Sequence, residues 1–294
     1  MRRCLPSIRV CWGRHCNKYS DRRGIKKNKK KINVASQATF PSIVGATICA
    51  SSNEGGFGCH VGDQNAPSDA LRFERNQTKE TLMKTELVFI LDRSGSMSGL
   101  EADTIGGFNS MIERQKKEAG EALVSTVVFS DDSTVIHDRL PIGEVPPLTD
   151  KEYFTMGCTA LLDAVGGAIR HIGNIHKYAR PEDVPDKTMF VITTDGHENA
   201  SRRYDYDAVR NMIERQKKRF GWEFLFLGAN IDATQEAARF GIDADRAVNY
   251  KCDEAGTLLN YRVIGEAVCS VRADRPLSAD WKRRIDEDVQ KRGR

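Results

Sequence analysis

The chain has 294 residues, of which 39% are apolar and 29% charged, a composition typical of globular domains. Its net charge of +4 is divided unevenly, because residues 1–82 hold 15 Lys and Arg against 6 Asp and Glu, and residues 83–294 hold 30 against 35. Nucleic-acid binding through charge is therefore confined to the first 82 residues, and no apolar run is long enough to predict a membrane span.

Residues 1–82 show no sustained helical or strand periodicity, and Lys26–Lys31 reads KKNKKK. We therefore expect a disordered basic segment. A nucleic-acid contact or a localisation patch is an alternative interpretation of the basic run. A signal peptide is disfavoured, because its basic part would exceed about 30 residues and the apolar stretch Ile43–Ala50 is interrupted by Gly and Thr.

A further hypothesis concerns where translation begins. Met83 directly precedes the first predicted strand, and Lys79–Glu80 can be encoded as AAGGAG, a purine-rich ribosome-binding sequence. Residues 1–82 would then be upstream DNA read as protein. The natural N-terminal mass decides between this start and a start at Met1.

The eight cysteines form no clear framework. Five lie early with irregular spacing, which is poor evidence for disulfides, and a zinc set of Cys4, Cys11, His15 and Cys16 lacks the close C-x-x-C pair. The scattered later cysteines fit a reducing, cytoplasmic setting. These later residues are Cys158, Cys252 and Cys269.

A continuous apolar run at Leu87–Leu91 predicts a strand buried on both faces of a parallel sheet, and similar runs recur at Met189–Ile192 and Phe224–Leu227. Segments with helical periodicity lie between them. Alternating strands and helices indicate an α/β fold, a doubly wound, Rossmann-like sheet with helices on both faces. The helical faces are Ile105, Phe108 and Ile112; then Leu161, Val165, Ala168 and Ile172; and a third helix at Tyr206–Arg219.

One strand pair departs from this pattern. Leu123–Phe129 and Thr134–Ile136 are joined by only Ser130–Ser133, which is too short for a helical crossover. We therefore predict one antiparallel strand in a mostly parallel sheet. A last strand near Ala247–Tyr250 and a helix near Glu254–Arg272 complete the layer.

These elements predict one domain over residues 83–275 and a charged helix or tail over residues 276–294. Within the domain, Met111–Lys117 and Met212–Lys218 both read MIERQKK. Their flanking residues agree little. We therefore interpret the repeat as the same structural requirement at two helix ends, because Lys and Arg suit the negative end of the helix dipole.

The residues that carry chemistry begin at the end of the first buried strand. In an extended loop, alternate side chains point the same way, so Asp92, Ser94 and Ser96 would aim three oxygens at one place. Thr159 begins a helix after a loop, and Asp195 follows another buried strand. These loops would meet at the carboxyl edge of the sheet, where α/β folds bind ligands. The all-oxygen set suits a hard cation rather than zinc or copper.

The order DRSGSM, CTALLDA, TTDGHEN resembles the metal-ion-dependent adhesion site of von Willebrand factor A domains, and the resemblance covers nearly all of residues 84–272. It implies that Ser94 and Ser96 bind the metal directly. Thr159 would bind directly or through water, and Asp92 and Asp195 mostly through water.

The resemblance also implies that a carboxylate from a partner protein completes the coordination. Two carboxylates balance the charge of the ion while the direct ligands stay neutral, so the ion retains attraction for a third, external carboxylate. Octahedral geometry with several waters favours Mg²⁺, with Mn²⁺ as the alternative. Whether a separate ATPase works with the module, as in some intracellular relatives, stays open.

Several residues are expected to line the rim of this site and contact the partner. They are Arg93, His197, Glu198 and Asn199. A purely structural interpretation competes with the metal site, in which Ser96 or Ser98 and Thr159 only cap the helices that follow. The domain would then be a metal-free scaffold.

An enzymatic interpretation is less favoured. Ser94 or Ser96 with His197 and Asp195 would mimic a hydrolase triad, but no G-x-S-x-G motif is present. A phosphatase would need a second Asp at the position of Ser94, and no G-x-x-x-x-G-K loop exists. We therefore expect a binding module rather than an enzyme.

Overall fold

The computed structural model describes residues 83–293, so the predictions for residues 1–82 lie outside the described residues. Six strands form one sheet in the order β3-β2-β1-β4-β5-β6, and every pair is parallel except β2 with β3. The strands are β1 Lys84–Asp92, β2 Glu121–Phe129, β3 Ser133–Pro141, β4 Lys187–Thr194, β5 Glu223–Gly228 and β6 Ala247–Asn249.

Helices cover both faces of this sheet, and the predicted fold class is confirmed. Alternate residues of β1 face opposite sides: Leu87, Phe89 and Leu91 pack with α1 and α5, whereas Val88 and Ile90 pack with α2, α3 and α4. The helices are α1 Glu101–Gln115, α2 Leu161–Tyr178, α3 Tyr206–Phe220, α4 Ala233–Arg239, α5 Glu254–Arg272 and α6 Arg283–Arg292.

The antiparallel strand β3 is longer than the predicted Thr134–Ile136. Its second half pairs with β2 across two register shifts, and it contains polar residues that broke the apolar pattern in the sequence. One of them, Arg139, donates from Nε to both carboxylate oxygens of the buried Glu86 at 2.9 Å. The extension of β3 therefore provides the partner that a carboxylate inside the sheet requires.

Two short helices complete the described chain. The prediction omitted α4, because seven residues are too few for a clear helical period; Asp232 caps it by accepting from Gln235 N at 3.0 Å. The charged segment after Pro276, for which a helix or a tail was expected, contains the helix α6. Ile285 of α6 is only 1% exposed and joins the apolar cluster of α1 and α5.

The two MIERQKK copies occupy matching places in the packing. In the first copy, Gln115 of α1 donates to the carbonyl of Gly265 in α5 at 2.8 Å. In the second, the Gln216 side-chain nitrogen lies 3.4 Å from where a Cβ on Gly173 of α2 would stand. Each copy therefore sets a glutamine against a glycine of the neighbouring helix, on opposite faces of the sheet.

The topology places a crevice between β1 and β4. The chain leaves β1 towards α1 on one face and leaves β4 towards α3 on the other. The loops after these neighbouring strands therefore diverge, and the carboxyl edge between them is where open α/β sheets bind ligands. None of the helices in residues 83–293 is long and apolar enough to cross a membrane.

Candidate metal centre

Three loops meet at the carboxyl edge of β1 and β4. The first follows β1, the second precedes α2, and the third follows β4. Backbone hydrogen bonds join them: Gly95 N donates to Gly157 O at 3.1 Å, and Asn199 N donates to Thr159 O at 3.0 Å. The three predicted motifs therefore converge although they are distant in sequence.

Asp92 lies at the end of β1 with 2% of its surface exposed. Its Oδ1 accepts from Ser94 N at 2.7 Å, and its Oδ2 accepts from Thr194 Oγ1 at 2.6 Å. Burial raises the pKa of Asp92 to about 6, against the opposing effect of these hydrogen bonds. The carboxylate is thus held in a fixed orientation beside the crevice.

A chain of oxygen atoms links the first loop to the third. Ser94 Oγ lies 3.1 Å from Ser96 Oγ, and Ser96 Oγ donates to Asp195 Oδ1 at 2.6 Å. Asp195 is buried, and burial raises its pKa above the ordinary aspartate value. Two desolvated carboxylates and two serine hydroxyls therefore share one small region.

Thr159 joins this group from the second loop. It is 3% exposed, and Asn199 Oδ1 accepts from its backbone N–H at 2.9 Å. A Cβ placed on Gly196 would lie 3.5 Å from Thr159 Oγ1 and 3.6 Å from Ser96 Oγ. The two hydroxyls thus flank the glycine that follows Asp195.

None of the three hydroxyls caps a helix of the described chain. The N-cap of α1 is Leu100 and that of α2 is Ala160, and neither accepts a hydrogen bond through its side chain. Ser94 precedes a short 3₁₀ turn without a side-chain cap. The capping interpretation of these residues is therefore wrong.

The donor set fits a hard divalent cation. It contains two carboxylates and three hydroxyls, which are the oxygen ligands that Mg²⁺ accepts together with water. No cluster of three or more His, Cys, Asp or Glu residues that could hold a metal is found in residues 83–293, and three of the five candidate ligands are hydroxyl-bearing residues. Cys252 Sγ lies 4.0 Å from Asp195 Oδ2.

Arg93 is not on the rim, where it was predicted. It is 9% exposed, and its guanidinium donates to Glu152 O at 3.3 Å and Thr134 Oγ1 at 3.5 Å. Side chains alternate along the end of β1, so Arg93 points away from Asp92 and Ser94, and it lies 4.8 Å from the ring centre of Phe154.

The other three predicted rim residues divide by their contacts. Glu198 accepts from Leu162 N at 2.8 Å and Ser201 N at 2.6 Å, so it stabilises the start of α2 rather than facing a partner. Asn199 holds the Thr159 backbone. His197 is exposed, with its Nδ1 4.0 Å from Glu236 Oε2, and its contact with a partner stays a prediction.

The sequence-based prediction missed three groups that hold these loops. Thr194 binds Asp92, the Tyr153 hydroxyl donates to the Asp92 carbonyl at 2.5 Å, and Asp131 Oδ1 accepts from Cys158 N at 3.1 Å. Thr194 stands directly before Asp195, so its place in the motif was a usable signal. Tyr153 and Asp131 carried none, because only the folded loops bring them there.

The contacts do not follow the order of a serine hydrolase triad. Ser96 donates directly to Asp195, whereas a triad places a histidine between the two. Within residues 83–293, His197 makes its closest charged contact with Glu236.

No protein-family model and no curated protein sequence matches the chain. Solved structures similar over 64% of the chain include proximal thread matrix protein 1 from the mussel byssus, at 14% identity over 46% of that protein with a TM-score of 0.44; that protein is also known with a zinc-occupied MIDAS motif. The vWF domain of the type V pili tip protein Mfa5 from Porphyromonas gingivalis matches at 10% identity over 95% of its length with a TM-score of 0.47.

A von Willebrand factor type A protein from Catenulispora acidiphila is similar at 15% identity over 43% of its length, with a TM-score of 0.42. The matched region thus spans less than half of the mussel and Catenulispora proteins. The strand order of this chain defines its fold, and the contacts of its own loops define the candidate site.

Proposed function

We propose that residues 83–293 form a protein-binding module of the von Willebrand factor A type that depends on a divalent cation. The ion is Mg²⁺, with Mn²⁺ as the alternative. An Asp or Glu carboxylate of the partner protein completes its coordination. This proposal rests on the resemblance of the three motifs and on the convergence of their side chains at one edge of the sheet.

The observation that carries the proposal is the hydrogen-bonded row of Ser94, Ser96 and Asp195, with hydroxyls that serve no helix cap. Hydroxyls and carboxylates gathered at the carboxyl edge of the sheet, with no helix cap to make, support a ligand site there. Two buried carboxylates without a cationic partner among their described contacts would gain from a nearby positive charge.

Each residue has a role in this proposal. Ser94, Ser96 and Thr159 would offer neutral hydroxyl oxygens, and Asp92 and Asp195 would balance the charge of the ion. Both Asp92 oxygens already accept hydrogen bonds, which suits a role through water rather than direct binding. The bound ion supplies the positive charge that attracts the partner's carboxylate.

Calorimetric titration of the full chain with Mg²⁺ and with Mn²⁺ tests the proposal. We expect saturable binding by the wild type and a loss of at least about tenfold in affinity for Ser96→Ala, since a direct ligand is removed. Ser98→Ala is the matched control, because Ser98 is exposed two residues further along the same loop. Equal affinities for Ser96→Ala and Ser98→Ala would exclude Ser96 as a ligand.

A further inference from the structure

Five large apolar side chains are exposed in residues 83–293, and two of them lie in the loop before Thr159. Phe154 is 43% exposed and Met156 is 46% exposed; we call them the apolar pair. Phe220 and Tyr178, by contrast, end α3 and α2 at the opposite edge of the sheet.

The loop holds the apolar pair in a fixed orientation. Its alternate residues turn inward, where the Tyr153 hydroxyl donates to Asp92 O at 2.5 Å and Thr155 Oγ1 donates to Glu101 Oε1 at 2.6 Å. The Phe154 ring stacks on the buried Arg93 guanidinium. Outward exposure of the pair therefore follows from contacts made on the inner side.

The same loop is bonded directly to the candidate metal centre. Met156 N donates to Arg93 O at 2.8 Å, next to Asp92 and Ser94, and Gly157 O accepts from Gly95 N at 3.1 Å. Met156 precedes Thr159 by three residues, a reach of at most about 10 Å. The apolar pair is thus within reach of a polypeptide bound at the centre.

We propose that the apolar pair recognises a large apolar side chain of the partner polypeptide, placed within about three residues of the carboxylate that reaches the metal. Aromatic residues and Met are enriched in protein interfaces, and here both stand beside the candidate metal centre. This inference rests on the proposed function and adds a rule of partner selection to it: a carboxylate alone is insufficient.

A polypeptide is the occupant that the surrounding charge favours. Asp131 and Asp132 are exposed beside the loop, and Asp131 Oδ1 accepts from Cys158 N. Acidic neighbours disfavour an anionic membrane surface and a nucleic acid. The remaining occupant is a protein segment that offers one carboxylate to the metal and one apolar residue to the pair.

The test uses the full chain and a library of short peptides with one fixed central Glu and random flanking residues, selected in Mg²⁺ and again in chelator. We expect chelator-sensitive binders enriched in Phe, Leu, Met or Trp within about three positions of the Glu. The selected peptides should bind the double variant Phe154→Ser, Met156→Ser about tenfold or more weakly than they bind the wild type. Phe220→Ser is the matched control, and Mg²⁺ affinity should be unchanged in all variants.

The outcomes separate the two proposals. Chelator-sensitive binders without apolar enrichment, or with equal affinity for the double variant, would overturn recognition by the pair and leave the metal-dependent function standing. Binding that ignores chelator, or no binding by any peptide, would overturn both. Self-association that the double variant abolishes would assign the surface to a second copy of this chain and so overturn the partner rule.

Discussion

At the scale of single residues, Asp92 shows how the fold prepares its site. A carboxylate with 2% exposure is unfavourable unless donors compensate for lost water. Here a backbone N–H and the Thr194 hydroxyl each serve one oxygen. The side chain is thereby fixed before any ligand arrives.

Replacing Thr194 with Val removes one of these donors and keeps the shape. We expect the free energy of unfolding, measured by urea denaturation without divalent metal, to fall by about 1–3 kcal/mol, because the buried carboxylate loses its partner. Thr194→Ser retains the hydroxyl and should recover most of the loss. Full stability of Thr194→Val would show that the hydrogen bond contributes nothing.

Gly157 is a second residue whose substitution reports on the site. Its φ is +70°, and a Cβ there would lie 2.0 Å from Asp131 Oδ2, so Gly157→Ala must displace either the Asp131 side chain or the loop before Thr159. Gly99 has φ +92° but no atom within 4 Å of a Cβ, which isolates the backbone effect. We expect Gly99→Ala to destabilise by about 1 kcal/mol and Gly157→Ala by more. Equal effects in urea denaturation would show that Asp131 moves away freely.

The convergence of the motif residues could be predicted from the sequence, whereas the groups that support them could not. Asp92, Ser94, Ser96, Thr159 and Asp195 stand at strand ends and loops that periodicity locates. The inward turn of Arg93 was missed, because an alternating pattern does not say which neighbour will receive the guanidinium. Glu198 and Asn199 were assigned to a partner, yet they bind the backbone of an element about 40 residues away.

At the scale of elements, close helix packing determines which substitutions are tolerated. The helices α1 and α5 pack against the same face of the sheet. A Cβ on Gly107 of α1 would lie 2.4 Å from Tyr261 Cδ2, whereas a Cβ on Gly265 of α5 would lie 3.4 Å from Met111 Cγ. A methyl group added at Gly107 would clash, whereas one added at Gly265 would make an ordinary van der Waals contact.

The two glycines therefore predict stability changes of opposite sign. Gly265→Ala should raise the free energy of unfolding by up to about 1 kcal/mol, because alanine favours the helix and the methyl group fits. Gly107→Ala should lower it by about 1–3 kcal/mol through overpacking against Tyr261. Thermal and urea unfolding of both variants measure this; two changes of the same sign would contradict the packing described.

Long, strongly periodic elements could be predicted from the sequence, and short or irregular ones could not. The five-residue apolar run of β1 and the helical face of α2 indicated their structure directly. The patterns for the seven-residue α4 and the second half of β3 did not indicate their structure. The helix depends on a single capping residue, and the strand extension depends on the ion pair between Arg139 and Glu86. The MIERQKK repeat was visible, but its packing against two glycines required the structure.

At the scale of the whole molecule, metal binding should stabilise the folded chain. A ligand that binds only the native state adds about 2.7 kcal/mol at a concentration of 100 times its Kd. We expect Mg²⁺ to raise the Tm of the wild type and to raise that of Ser96→Ala clearly less, in proportion to its weaker binding. NaCl at equal ionic strength is the control, and an equal rise with NaCl would assign the effect to general screening.

The charge distribution of the chain does not oppose this effect. Residues 83–294 carry five more acidic than basic residues, so a bound cation makes the net negative charge of these residues smaller. Nearby Asp131 and Asp132 add to the local negative potential, which favours cation entry and weakens with salt.

We propose that three loops hold one cation at the carboxyl edge of β1 and β4. Crystals of the full chain grown in Mn²⁺ test it most directly through anomalous scattering. We expect one strong anomalous peak about 2.2 Å from both Ser94 Oγ and Ser96 Oγ. No peak at this edge under saturating Mn²⁺, or a peak bound only by residues elsewhere, would contradict it.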